Sequence, residues 1–111
     1  MEEIIEKYIQ AARSQKDSES YQTANKWHSL LIETYKQLKE QKKLRLLRDL
    51  LTHEHIGVRS WAATHYLSID EDVAKKTLRD IANVGGLLGL SAETVIKEWD
   101  NGNLKSYYMN L

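Results

Sequence analysis

Two short amphipathic helical patterns meet across the stretch Leu50-Leu51-Thr52-His53-Glu54-His55-Ile56-Gly57-Val58-Arg59-Ser60-Trp61-Ala62-Ala63-Thr64-His65-Tyr66-Leu67. The polar centre is too short to be a linker, so the second pattern must fold back on the first as a helical hairpin. The same punctuation recurs along the chain. Ile4, Ile5, Tyr8, Ile9 and Ala12 predict a helix over residues 2–15, with glutamates in its first turn where the helix dipole favours them. After the capping candidates Asp17-Ser18-Glu19-Ser20, the series Ala24, Trp27, Leu31, Tyr35, Leu38 runs in steps of three and four and predicts the longest helix.

The apolar stripe then loses phase. From Leu38 to Leu44 a helix would rotate by roughly 600°, which moves the next apolar position about 240° off the stripe. A turn or strong bend is therefore expected near residues 40–43, followed by a third helix carrying Leu44, Leu47, Leu50 and Leu51. A fourth helix over residues 56–68 presents Val58, Trp61, Ala62, Tyr66 and Ile69. A fifth starts at Asp70-Glu71-Asp72 and stops at Gly85-Gly86, and a sixth, capped by Ser91, carries Ala92, Val95, Ile96 and Trp99 to a stop at Asn101-Gly102-Asn103. The absence of proline and the abundance of Leu, Lys, Glu and Ala agree with an all-α chain. One domain over residues 1–111 is expected, with 104–111 as a short apolar C-terminal tail.

Val58-Arg59-x-x-Ala62-Ala63-x-x-x-Leu67 resembles the second helix of a HEAT repeat. The likeness covers residues 44–69 well and 70–100 loosely, and the segment from Ile81 to Leu104 is similar to the end of small bacterial HEAT-like proteins of unknown function. The resemblance implies an alpha-alpha superhelix, a right-handed stack of about three helical hairpins, whose concave side meets another molecule. It implies no catalytic residues. It also implies a structural role for Arg59, which in such repeats holds the hairpin through an acidic residue or the carbonyls of a neighbouring turn. The usual turn aspartate is missing here, so Glu54 or Asp72 is the expected partner.

Chemistry-bearing groups are few. Cysteine is absent, which excludes disulfides, thiolate metal sites and a cysteine nucleophile. His53-Glu54-His55 with His65 is the one cluster that invites a metal, but residues two apart on a helix point about 200° apart and no fourth ligand is evident. Gly85-Gly86-Leu87-Leu88-Gly89 lacks the lysine and hydroxyl residue of a phosphate loop, and Ser29, Ser60 and Ser91 lack a nucleophile elbow. No enzyme activity, metal or cofactor is expected.

Sixteen basic and sixteen acidic residues balance, which argues against a general attraction to nucleic acid or anionic lipid. The strongest local asymmetry is Lys36, Lys39, Lys42, Lys43, Arg45 and Arg48, opposed between its ends only by Glu40. This face is a solvated surface or a partner or phosphate contact, with Trp27 or Tyr35 near enough to stack on bases. Trp27, Trp61 and Trp99 fall on apolar stripes and are expected in the core. Tyr107, Tyr108 and Met109 form an apolar tail that folds back on the helices or anchors a partner. The acidic start and the lack of a long apolar run predict a cytoplasmic protein with no membrane association. Another protein is the expected partner, bound in the manner of a bacterial immunity or adaptor protein; nucleic acid on the 36–48 face is the alternative.

Overall fold

The computed structural model describes residues 2–111, which form seven helical segments and no strand. Helix α1 (Glu3–Asp17) begins where the Glu2 carbonyl accepts from the Ile5 and Glu6 amides, and it buries Ile5, Tyr8, Ala11 and Ala12. Three residues later Ser20 caps α2 (Tyr21–Glu40), its hydroxyl accepting from the Thr23 amide at 3.1 Å. The short connection folds α2 against α1, with Leu31, Thr34, Tyr35 and Leu38 facing inward.

The expected break falls at residues 41–43. Lys42 adopts a left-handed conformation with φ 59°, and the Lys43 amide donates to the Leu38 carbonyl at 2.8 Å while the Lys42 amide donates to that of Lys39. This is a Schellman stop with lysine in the place glycine usually takes. The third helix differs from expectation in kind: Leu44–Thr52 is a 3₁₀ helix. Its leucine spacing supplies the reason. Leu44, Leu47 and Leu50 lie three apart, so they align in a three-residue turn, whereas in an α-helix each step would drift by about 60°.

His55 caps α3 (Ile56–Tyr66) through Nδ1, which accepts from the Gly57 and Val58 amides at 3.0 and 3.3 Å. Its Nε2 therefore carries the proton and donates to Asp17 at 3.0 Å, joining the start of α3 to the end of α1. Helix α3 is central and is buried almost all round, including Ser60, Thr64 and His65, a wider face than the apolar pattern predicts. Small residues permit this. A Cβ on Gly57 would come within 2.6 Å of the Lys16 Cβ, and Ala62 and Ala63 are fully enclosed.

Asp70 caps α4 (Glu71–Ala82) by accepting from the Val73 amide. Only Asn83, Val84 and Gly85 separate it from α5 (Gly86–Asp100), and Gly85 and Gly86 both have positive φ. Ser91 thus lies inside α5 and caps nothing; the glycines end one helix and begin the next. Gly102, at φ 87°, admits a further helix, α6 (Asn103–Met109), where the sequence suggested a tail. Successive segments pack as pairs, α1 on α2, the 3₁₀ helix on α3 and α4 on α5. Contacts of α1 with α3 and α3 with α4 join the pairs, and α6 lies on α5.

Candidate functional site

At the centre of the helices a buried imidazole gathers aromatic side chains from four segments. His65 on α3 is 2% exposed; its Nδ1 lies 2.6 Å from the Tyr8 hydroxyl of α1 and its Nε2 3.1 Å from the Tyr108 hydroxyl of α6. Tyr35 of α2 packs its ring 4.6 Å from the imidazole, and Trp61 flanks it at 5.7 Å. Burial, with a smaller contribution from His28, lowers the His65 pKa from 6.5 to about 3, so the ring is neutral near pH 7. A neutral imidazole donates through one nitrogen and accepts through the other, so one tyrosine hydroxyl must donate and the other accept. Burial likewise raises the pKa of both tyrosines. The imidazole and the Tyr8 side chain are closed to solvent, and the pair of hydrogen bonds ties α1, α3 and the C-terminal helix together.

Above this core opens a cleft of about 530 Å³, floored by Tyr35, Leu44, Leu67, Ile69, Trp99 and Tyr108. The ends of α2 and α5, the start of the 3₁₀ helix, the α3–α4 turn and α6 all contribute to it. Lys39 donates from Nζ to the Tyr108 carbonyl at 3.1 Å, which ties the basic segment to the C-terminal helix. The Trp99 indole N–H donates to the Glu71 carboxylate, which also lies 3.6 Å from Lys75; Lys75 in turn pairs with Asp100 at 2.5 Å. The hydrogen bond from Lys75 to Asp100, aided by both carboxylates, raises the Lys75 pKa. Lys105 stands 5.8 Å from the Trp99 ring at one side of the cleft. On the other side Lys39, Lys42 and Arg45 line a shallow groove that shares Leu44 and Ile69 with it.

The basic segment is therefore divided. Lys39 reaches the cleft, Lys42 and Arg45 line the adjoining groove, Lys43 pairs with Glu2 at 2.8 Å, and Arg48 faces a separate depression with Arg59, Lys76 and Asp80. Lys36 is exposed on α2, and among the described residues Lys36, Lys42, Arg45 and Arg48 have no carboxylate within 4.0 Å. The tail divides too, with Tyr108 buried in the core while Tyr107 and Met109 are exposed. Tyr35 is 2% exposed and cannot offer its ring to a base, a correction to its suggested stacking role. Trp99 is core as expected. Trp61 is half-buried, donating to Gln15 at 2.8 Å beneath the Lys16 ammonium.

The Arg59 guanidinium bonds the main-chain carbonyls of His53 and Glu54 at 2.7 and 3.2 Å. This corrects the expected pairing with a Glu54 or Asp72 carboxylate; the guanidinium reaches back to the carbonyls of the turn that precedes α3. His53-Glu54-His55 is spent locally, because His53 accepts from the His55 amide and His55 caps α3, and His65 lies apart in the core. Lys105, Glu71 and Ile69 are among the cleft residues that sequence reasoning did not assign to a site. For Lys105 a signal existed: Leu104, Tyr108 and Leu111 are spaced by four and three, the mark of a helix with Lys105 and Met109 on another face. No known protein family, curated protein or solved structure matches the chain.

Proposed function

We propose that the chain is a non-catalytic protein-binding module, a HEAT-like stack of three helical hairpins that acts in the bacterial cytoplasm as an immunity or adaptor protein by occupying a partner's surface. The order of helix packing supports the stack: each pair contacts the next through α1, α3 and α4 in turn. The absence of a helix among the described residues long and apolar enough to cross a membrane agrees with that setting. One observation carries the functional reading. The basic segment and the C-terminal apolar residues, 69 positions apart at Lys39 and Tyr108, meet at one cleft where cations rim an apolar floor. Partly apolar concavities with a few placed polar groups are the usual form of a binding site.

The nucleic-acid reading keeps one supporting observation, the cations of the 36–48 segment that lack an acidic partner. The burial of Tyr35 and the neutral charge balance weigh against it. The two readings separate in a tagged capture from nuclease-treated lysate. A protein retained in stoichiometric amount supports the module, whereas retention only of nucleic acid in an untreated lysate overturns it.

A further inference from the structure

Three properties of the cleft come from separate stretches of the chain. Its lining is largely apolar and includes Leu44, Ile69 and Met109, the last 71% exposed. Two cations line it, Lys39 and Lys105, and the adjoining groove that shares Lys39, Leu44 and Ile69 with it adds Lys42 and Arg45. Its one lining carboxylate among the described residues, Glu71, already accepts from Trp99 and faces Lys75. We infer that this cleft and its adjoining groove take an acidic segment of the partner, with one apolar or aromatic side chain seated against Leu44, Ile69 and Met109 and flanking carboxylates on Lys39 and Lys105 of the cleft and Lys42 and Arg45 of the groove. The inference rests on the binding-module reading and names the chemistry of what the module binds.

Charge complementarity supports this occupant. In a chain of balanced charge, Lys39, Lys42, Arg45 and Lys105 have no carboxylate within 4.0 Å among the described residues, so an incoming acid forms ion pairs without displacing any of these. Lys39 spends one donor on the Tyr108 carbonyl and keeps two for a ligand. Lys42 points in the same direction. It occupies a left-handed position that glycine would take with less strain, and it lines the adjoining groove. Size matters as well: about 530 Å³ accommodates a large side chain and its neighbours, in the range of ordinary ligand sites. A nucleic-acid strand would need open ring faces for its bases, and the aromatic residues of the floor, Tyr35, Trp99 and Tyr108, are each at most 7% exposed.

A random peptide library displayed on phage and selected against the full chain tests this, with binding of the recovered peptides then measured by fluorescence anisotropy. The expected peptides carry acidic residues around an aliphatic or aromatic one and bind more weakly as salt rises. An Arg45→Glu, Lys105→Glu double variant, altered only at exposed positions and checked for folding by circular dichroism, should weaken them at least about tenfold. Met109→Asp should weaken them by a similar factor through the apolar contact. Recovery of no acidic peptide, or of peptides that bind the charge-reversed variant unchanged, overturns the inference. So does an oligothymidylate that binds the chain more tightly than the best peptide and is lost in the same variant, which would give the face to nucleic acid. The module reading is scored separately: a lysate protein captured equally by wild type and the charge-reversed variant keeps the module and removes the cleft, whereas capture of none removes both.

Discussion

His65 shows how one side chain can set the conditions under which the fold is stable. Its pKa falls from 6.5 to about 3 because burial disfavours the imidazolium, with His28 adding to the effect. The folded state thus binds this proton more weakly than the unfolded chain. Its contribution is complete above about pH 6.5 and is lost as pH falls toward about 3, at up to about 1.4 kcal/mol per pH unit. The pKa of His28 is also lowered, by burial and by Lys16, and shifts stability in the same direction, so the informative comparison changes His65 alone. His65→Gln should be less stable than wild type at neutral pH and should lose less stability through the acid window. Urea denaturation across that range checks this, and parallel pH profiles would contradict it. Little near residue 65 in the sequence announces the role, because its hydrogen-bond partners lie 57 and 43 positions away.

Among the elements, the end of α2 offers the cleanest test. Lys42→Gly removes the strain of a side chain at φ 59° while adding freedom to the unfolded chain; a net gain of about 0.5–1 kcal/mol is expected from chemical denaturation. A loss would mean that the lysine stem packs usefully where it lies. The position of this break was legible from the phase of the apolar stripe alone, since no glycine marks it. The start of α5 was not, because Ser91 has the chemistry of a cap while Gly85 and Gly86 serve as stop and start within a few residues. The 3₁₀ geometry of Leu44–Thr52 was present in the leucine spacing but had to be distinguished from an α-helix by a period difference of about 0.6 residue per turn. The cleft was half visible: the cations of residues 36–48 and the apolar tail were both conspicuous, but only the return of α6 across the molecule brings Lys39 to Tyr108.

For the molecule as a whole, α6 closes the path between first and last elements. Deleting residues 103–111 uncovers Tyr35, strips His65 of its Nε2 partner and opens one wall of the cleft. A loss of about 2–4 kcal/mol is expected in urea denaturation, from a buried tyrosine and an orphaned polar atom. An unchanged midpoint would show that α6 is a passive appendage. The shared imidazole has another consequence. Because a neutral ring holds one proton, the hydroxyls of Tyr8 and Tyr108 cannot be oriented independently: when one turns from donor to acceptor, the other must turn the opposite way. Tyr108 borders the cleft and Tyr8 lies in α1, so the donor or acceptor role of the Tyr108 hydroxyl at the cleft wall is coupled through the imidazole tautomer to that of a hydroxyl on the first helix.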